Sequence, residues 1–323
     1  MCQVVVGLAL LVALTAAAGA QDRGATFPTK GIRVVIGYPP SSGVDAFARL
    51  ISERLVAKGL PPMVIENRPG ASGHIATEIV AKAAPDGYTI LGVPPAFVTT
   101  PLMFKSLPFD PDAMVPITVA VTQANVLMVA PSRLPAVRTV ADLIALAKAK
   151  PGALNYGTAG NGGSQHLSAE LMNSLAGDIK IVHIPYKGAA VMTALLAADI
   201  ELGWYTLGGS MAHLKTGRLR ALAVGGVKRH PDLPDVPTLG EALPGLVSAS
   251  WSAFIAPANT PAETVNRINA LFVEALRHPD VQRRAVDLTA EVVANSVAEA
   301  KAYLAEEKER WGKVIRAANI KAD

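Results

Sequence analysis

Short apolar runs alternate along most of the chain with apolar residues at helical spacing. The β-branched run Ile32–Ile36 has the character of a buried strand, and Phe47, Leu50 and Leu55 behind it recur with the period of a helix. This alternation is typical of α/β layers, so we expect mainly parallel strands covered by helices. The same signals predict strands at Met63–Ile65, Tyr88–Leu91, Leu154–Tyr156, Ile181–Ile184, Ile200–Trp204 and Leu219–Val224, and helices at Ile75–Ala83, Leu167–Leu175 and Ala189–Ala197.

The succession of a strand, a glycine-rich turn and a helix occurs twice, at Val34–Leu55 and at Leu154–Leu175. Two such openings indicate two lobes that face one cleft. The segments Val115–Ala130 and Leu219–Val227 are apolar and long enough to cross between lobes, which makes them hinge candidates. We therefore predict a discontinuous first lobe at residues 21–123 plus 227–323 and a second lobe at residues 124–226.

Two signatures of helix N-termini lie in the C-terminal third of the chain. Thr260 to Glu263 and Ser296 to Glu299 each have the spacing of a capping box, in which the first and fourth residues satisfy each other's backbone N–H groups. Pro261 suits the first position of a helix. Helices are therefore predicted to begin at both places.

Residues 1–20 have the character of a secretory signal peptide. The apolar run Val4–Leu14 is followed by Ala18-Gly19-Ala20, the small-x-small pattern of a cleavage site. The alternative is an uncleaved anchor, but the run is short for a bilayer span of about 20 residues. We expect export, cleavage near Ala20, and loss of Cys2, the one cysteine of the chain.

The composition fits a globular protein and argues against one class of partner. Half of the residues (50%) are apolar and 17% are charged, so the chain has ample material for hydrophobic cores. The net charge of +4 is small for 323 residues, and the lysines and arginines form no run. Binding to nucleic acid is therefore not expected.

The loop from Tyr38 to Asp45 (YPPSSGVD) joins a predicted strand to a predicted helix. Its backbone N–H groups therefore lie at a helix N-terminus, where unpaired donors and the helix dipole favour an anion. Ser41 and Ser42 add hydroxyl donors. The alternative is ordinary helix capping by Ser42, with Asp45 in the first turn paired to Arg49 four residues later.

A second loop of the same kind runs from Asn155 to His166 (NYGTAGNGGSQH). Its glycines allow the backbone to approach a ligand closely, and Thr158, Asn161 and Ser164 can donate hydrogen bonds. The loop lacks the glycine spacing of a dinucleotide-binding turn and the Gly-Lys-Ser/Thr of a phosphate-binding loop. No nucleotide cofactor is therefore predicted.

Signatures of catalysis and of metal binding are absent from the sequence. There is no G-x-S-x-G nucleophile elbow, and the six histidines lack H-E-x-x-H or a comparable spacing. Ser164 and His166 are too close in sequence to form a catalytic triad. Trp204 and Tyr205 end a predicted strand, where they either reach a cleft or pack in a core. We expect no catalytic residues, no metal and no cofactor.

Seven short motifs are spread over nearly the whole predicted mature chain: Tyr38–Arg49 (YPPSSGVDAFAR), Val64–Gly73 (VIENRPGASG), Ala83–Tyr88 (AAPDGY), Leu154–Leu167 (LNYGTAGNGGSQHL), His183–Gly188 (HIPYKG), Leu219–Val224 (LRALAV) and Leu233–Thr238 (LPDVPT). Each motif is short, but their combination and order are specific. Together they resemble the Bug-type solute-binding proteins of tripartite tricarboxylate transporters.

The resemblance implies an α/β fold of the two-lobed periplasmic binding protein type (type II-like), with the ligand in the cleft between the lobes. Proteins of this family typically capture small organic anions, often carboxylates, for the membrane permease subunits of the transporter. We expect a monomer that performs no chemistry. Carried over by position, the ligand-binding residues are Ser41, Ser42, Gly43, Asp45, Thr158, Ala159, Asn161, Ser164 and Tyr205.

Three positions depart from the family's pattern. Glycine usually stands where Ser41 is, a hydroxyl residue where Val44 is, and an acidic residue where Tyr205 ends its strand. The tyrosine at position 205 removes a negative charge that could pair with the amino group of a ligand. An amino-acid ligand is therefore disfavoured.

Two other functions remain open from the sequence. A secreted α/β hydrolase or transferase could act on an anionic substrate, although the expected nucleophile and metal patterns are missing. A sensor subunit could use the same lobe closure to dock on a signalling partner. Neighbouring permease genes would favour uptake, and a neighbouring sensor kinase gene would favour signalling.

Because Val4–Ala20 is a short apolar run with a small-x-small end, the exported protein is expected to begin at Gln21. N-terminal sequencing of the protein from the periplasmic fraction checks this. Recovery of chains with Met1 intact in the membrane fraction would contradict it.

Overall fold

The computed structural model describes residues 27–40, 42–104, 106–226 and 228–320. The predicted signal peptide, its cleavage site and Ser41 lie outside the described residues. None of the helices in the described ranges combines the length and apolarity needed to cross a lipid bilayer.

Strands and helices alternate along the chain, as the hydrophobic pattern predicts. The strands are β1 Arg33–Ile36, β2 Val64–Asn67, β3 Thr89–Val93, β4 Val115–Val129, β5 Asn155–Thr158, β6 Val182–Pro185, β7 Leu202–Thr206, β8 Arg220–Val224, β9 Ala249–Ala256 and β10 Ala290–Val292. The α-helices are α1 Gly43–Ala57, α2 His74–Ala81, α3 Ala96–Thr99, α4 Val140–Ala149, α5 Ser164–Leu175, α6 Ala190–Leu196, α7 Leu207–Lys215, α8 Leu239–Ala242, α9 Ala262–Leu276, α10 Pro279–Asp287 and α11 Val297–Ala317.

One long strand, β4, is shared by two groups of strands. Up to Ala124 it pairs with β9, which leads through β3 and β1 to β2; we call this group the first sheet. From Asn125 onward β4 pairs with β7 and β8, and β7 leads through β5 to β6; we call this group the second sheet. The short β10 joins the first sheet by pairing with β4. The shared strand therefore connects the two halves of the molecule.

The expectation of mainly parallel strands holds only for the outer strands. β1 is parallel to β2 and β3, and β5 is parallel to β6 and β7. Every pairing of β4, by contrast, is antiparallel, because the chain returns past it in both halves. Strand alternation in the sequence does not reveal such returning strands.

Each sheet has its own hydrophobic core, and β4 contributes to both. Ile117 and Val121 pack in the first core, which also buries the predicted apolar face of α1. Leu127 and Val129 pack in the second core with residues of α4, α5 and β7. This arrangement agrees with the predicted two-lobed α/β fold.

The first predicted crossing, Val115–Ala130, corresponds to β4. β8 lies in the second predicted crossing, but it pairs with the end of β4 and so belongs to the second sheet. Residues farther along the chain, such as Leu239 and Leu246, also pack in the second core. β9 rejoins the first sheet from Ala249. The lobe boundaries stay a prediction, and this packing leads us to propose a return crossing near Val247.

One of the two predicted capping boxes is present. Ser296 Oγ accepts from the N–H of Glu299 (3.3 Å), and the Glu299 carboxylate accepts from the N–H of Ser296 (2.8 Å). The box predicted at Thr260 is wrong, because the Thr260 hydroxyl donates to the Pro257 carbonyl (2.8 Å) and α9 starts after Pro261 without a side-chain cap. A local turn thus competes for the capping hydroxyl.

The last helix, α11, packs against elements of both halves. Leu304 lies in a cluster with residues of the first sheet, and Trp311 packs with Leu167 of α5. Glu307 is 3% exposed, and its carboxylate accepts from the indole N–H groups of Trp251 (2.9 Å) and Trp311 (3.0 Å). One buried carboxylate therefore ties α11 to β9.

Replacing Glu307 with alanine is expected to lower the free energy of unfolding by about 2–6 kcal/mol, because two buried N–H groups lose their acceptor at about 1–3 kcal/mol each. Urea unfolding followed by tryptophan fluorescence measures the loss. Glu306→Ala, on the exposed face of the same helix, is the matched control and should change stability by less than about 0.5 kcal/mol. Equal losses in the two variants would refute this role of Glu307.

Candidate functional site

Three helices begin around the point where β4 passes from one sheet to the other. α1 begins at Gly43, where an added Cβ would lie 2.7 Å from Gln123 Oε1. α5 begins at Ser164, whose Oγ accepts a hydrogen bond from Asn125 Nδ2 (3.2 Å), and α7 follows Thr206, the backbone partner of Asn125. Helix N-termini expose unpaired N–H groups and partial positive charge, so an anion is favoured here. We call this place the crossing site.

The loop between β1 and α1 is fixed by an amide and a carboxylate. Asn67 Nδ2 donates both to the Tyr38 carbonyl (3.0 Å) and to Asp45 Oδ1 (3.0 Å). The buried Asp45 carboxylate also accepts from Arg49 Nε (2.9 Å) and Nη2 (3.1 Å), which confirms the predicted pair. Asp45 thus orients the loop, and its direct contact with a ligand stays a prediction.

Ser42 occupies the N-cap position of α1, but its side chain does not cap the helix. Its hydroxyl forms no bond to the first turn. Its Oγ is buried and has no hydrogen-bond partner among the described residues. Ordinary capping by Ser42 is therefore wrong. A buried hydroxyl left unpaired costs about 1–3 kcal/mol, and a bound acceptor would remove that cost.

The loop between β5 and α5 is folded around the Thr158 side chain. Thr158 Oγ1 donates to the Gly160 carbonyl (3.0 Å) and lies 2.7 Å from His183 Nε2. The Ala159 carbonyl accepts from the N–H of Gly188 (3.3 Å), so the turn before α6 packs on this loop. Asn161 lies half-buried in the loop. Direct ligand contacts of Thr158, Ala159 and Asn161 stay predictions.

The same loop touches the first half of the molecule. Thr99 at the end of α3 donates from Oγ1 to the Gly162 carbonyl (2.6 Å). Gly162 is buried with a φ of +70°, and an added Cβ would overlap the methyl group of Met103. Glycine is required at this position for both reasons. The structure therefore brings the second loop against the first half, and it places Gly43 and Ser164 beside neighbouring positions of β4.

Sequence reasoning missed four polar residues around the crossing site. Gln123 and Asn125 could have been found from the sequence, because they place two amide side chains in a long strand that is mostly apolar. Thr206 lies directly before α7. Nothing in the sequence pointed to Thr289. In the structure its φ is +49°, and its Oγ1 is buried without a partner among the described residues. Gly208 of α7 lies so close that a Cβ added there would be 2.7 Å from that oxygen.

The two aromatic residues at the end of β7 have different surroundings. Trp204 is fully buried in the second core, so the core interpretation is the right one for it. Tyr205 is half-buried, its backbone pairs with Val126 one residue past the crossing site, and burial raises the pKa of its phenol. Tyr205 is therefore placed near the site, and its contact with a ligand stays a prediction.

Two histidines support the second loop from behind. The rings of His166 and His183 stack with centroids 3.9 Å apart, and Tyr156 stacks on His183 at 4.8 Å. The N–H of Gly162 donates to His166 Nδ1 (3.1 Å). Burial, with a smaller contribution from His166, lowers the pKa of His183 to about 3. His183 is thus neutral at neutral pH and braces the loop without adding charge.

Nothing in the described ranges resembles a metal centre, since no group of three or more His, Cys, Asp and Glu side chains could hold an ion there. The polar groups that do converge are hydroxyls, amides and helix N-termini. Such groups donate hydrogen bonds to a bound anion.

The comparisons with known proteins agree with this arrangement. The profile of the family described as tripartite tricarboxylate transporter family receptor matches residues 47–320. Rpa4515 from R. palustris, solved with adipate, is 34% identical with a TM-score of 0.83, over 92% of this chain and 99% of that one. MatC from Rhodopseudomonas palustris, solved with malate, is 28% identical with a TM-score of 0.78, over 90% of this chain and 100% of that one.

A third solved structure, the periplasmic binding protein BugD, is 27% identical with a TM-score of 0.80, over 92% of this chain and 100% of that one. The matched family and these neighbours are solute-binding proteins. The predicted Bug-type resemblance, the two-lobed binding-protein fold and the assignment as a binding protein rather than an enzyme are therefore confirmed.

The histidine stack generates a pH prediction. An imidazole in an unfolded chain has a pKa near 6.5, and that of folded His183 is about 3, so the unfolded state binds the extra proton between these values. The contribution of neutral His183 to the free energy of unfolding is therefore complete above about pH 6.5 and is lost as the pH falls toward 3. By pH 5 we expect a loss of about 2 kcal/mol.

Urea unfolding at pH 7.5 and pH 5 measures this loss. His183→Gln should make the pH dependence smaller by that amount, whereas His213→Gln, on α7 and away from the stack, should leave it as in the unmodified protein. Burial lowers the pKa of His74 as well, so the difference between variants is the relevant quantity. An unchanged slope in His183→Gln would contradict the prediction.

Proposed function

The chain belongs to the tripartite tricarboxylate transporter receptor family, and we propose that it captures a small organic carboxylate at the crossing site. It then delivers this ligand to the membrane permease subunits of such a transporter. The role is selective binding, and the ligand leaves unchanged.

The observation that carries this proposal is the surplus of hydrogen-bond donors at the crossing site. The buried Ser42 hydroxyl has no partner among the described residues, and α1 and α5 both begin there. A carboxylate supplies two oxygens with several lone pairs and a negative charge, which suits donors of this kind. The Asp45 carboxylate near the start of α1 is paired with Arg49 and also accepts from Asn67.

The hydrogen-bond donors at the crossing site can account for the affinity that a solute receptor needs. A micromolar dissociation constant corresponds to about −8 kcal/mol. A hydrogen bond to a charged group contributes about 1.5–3 kcal/mol, so several of them can supply this free energy after the loss of ligand freedom is subtracted. Both halves of the molecule supply these hydrogen-bond donors, so the ligand binds most tightly when the two halves are closed around it.

The ligand class follows from two relatives. One was solved with adipate and another with malate, and both are dicarboxylates. We therefore propose an aliphatic dicarboxylate as the ligand. The proposed binding residues are those predicted from the sequence, together with Gln123 and Thr289.

The proposed location is the periplasm, with the protein acting as a monomer. The neighbour BugD is a periplasmic binding protein, and residues 1–20 have the pattern of a cleavable signal peptide. A receptor that hands a ligand to an inner-membrane permease has to meet it on that side of the membrane.

Removing single donors should weaken binding. With a dicarboxylate such as adipate, Ser42→Ala and Ser164→Ala are each expected to raise the dissociation constant by the equivalent of about 0.5–3 kcal/mol. Gly43→Val should cost more, because its side chain would meet Gln123 where the ligand has to approach the backbone. Isothermal titration calorimetry of the purified mature protein measures the three effects.

Lys301→Ala, on the exposed face of α11, is the control and should leave the affinity unchanged. A thermal-shift screen of organic acids identifies the ligand beforehand, since a ligand at 100 times its dissociation constant adds about 2.7 kcal/mol of stability. Unchanged affinity in both serine variants and in Gly43→Val would show that the carboxylate does not bind between these loops.

A further inference from the structure

Asn125 is fully buried in β4 at the crossing site, and its side chain connects three other polar side chains. Its Nδ2 donates to Ser164 Oγ (3.2 Å) and to Ser248 Oγ (2.9 Å). Its Oδ1 accepts from Gln165 Nε2 (3.2 Å). An amide in an apolar strand is costly unless its groups are satisfied, and here each of them has a partner.

The network has a defined direction. An amide nitrogen only donates, so both serine hydroxyls act as acceptors toward Asn125. Reversing the Asn125 amide alone would set Nδ2 against the Gln165 donor, so the two amides are oriented together, and in the structure this orientation makes both serines acceptors. The hydroxyl hydrogen of Ser164 therefore points away from Asn125, and no acceptor for it is found in the described part of the chain.

We propose that Asn125 is a positioning residue that sets the hydroxyl polarity of the crossing site. Because the Asn125 amide donates a hydrogen bond to the Ser164 oxygen, the hydroxyl hydrogen of Ser164 remains available to donate to the ligand. The site then favours a deprotonated carboxylate over a neutral group that would itself need to donate. This inference rests on the proposed function and adds the residue that makes the site selective for the charged form.

Asn125→Asp is the sharpest test because it keeps the shape and reverses the polarity. A carboxylate only accepts, so the Ser164 hydrogen would turn toward Asp, and a negative charge would stand next to the anion site. With adipate at pH 8, the dissociation constant is expected to rise at least thirtyfold, about 2 kcal/mol at 1.4 kcal/mol per tenfold. Asn319→Asp, the same change at an exposed position, should leave it unaltered.

The pH profile separates this role from a merely structural one. When the introduced carboxyl is protonated its O–H can donate to Ser164, so the affinity of Asn125→Asp should recover as the pH is lowered from 8 to 6. The unmodified protein, titrated in parallel, corrects for the nearby His166 and His183 and for the ligand. A full affinity at pH 8, or a loss that does not change with pH, would overturn the proposal.

A double-mutant cycle gives a second test if Asn125→Asp folds poorly. When Asn125 acts through Ser164, Asn125→Ala combined with Ser164→Ala should bind no more weakly than Ser164→Ala alone. Additive losses would overturn the role assigned to Asn125 while leaving carboxylate capture intact. If the unmodified protein binds no organic acid at all, the proposed function fails, and this inference fails with it.

Discussion

The antiparallel pairing of β4 with two different sheets governs the architecture of this protein. The 15-residue strand uses Val115–Ala124 for the first sheet and Asn125–Val129 for the second, so the change of partner falls between two adjacent residues. Helices that follow strands of both sheets start next to that point. A ligand held by those helix starts touches both halves at once, and its binding free energy therefore favours their closure.

The crossing site combines one fully satisfied buried amide with two buried hydroxyl groups that have no partner among the described residues. Asn125 is a polar side chain within a buried strand, and its amide has a complete set of hydrogen bonds. Ser42 and Thr289 each bury a hydroxyl oxygen without a partner among the described residues, and both lie beside the start of a helix. Buried polar atoms without partners are rare in folded proteins. Two of the four such atoms in the described part of the chain lie at this site, where a bound acceptor would recover the stability that they cost.

The hydrophobic pattern predicted what depends on local periodicity. The buried face of α1 at Phe47, Leu50 and Leu55 and the long strand β4 are of this kind. Contacts between segments distant in sequence were not predictable in this way. Thr289 lies at the site only because Gly208 of α7 packs against its turn. The capping prediction at Thr260 failed for a different, local reason, since the Thr260 hydroxyl donates to the Pro257 carbonyl three residues before it. The two loops were found because glycine and hydroxyl residues at a strand–helix junction have a direct physical meaning.

The contacts between the two halves differ in strength and direction, and this difference bears on closure. α11 is held to β9 by a hydrogen bond that the Trp251 indole N–H donates to the Glu307 carboxylate. Its contact with Leu167 of α5, by contrast, is apolar packing, which has no preferred direction. Thr99 and Gly162 add a hydrogen bond worth about 1 kcal/mol. Each bond from a helix start to a carboxylate contributes about 1.5–3 kcal/mol. A ligand bound between the helix starts would therefore add directed bonds to a contact that otherwise combines apolar packing with a few hydrogen bonds.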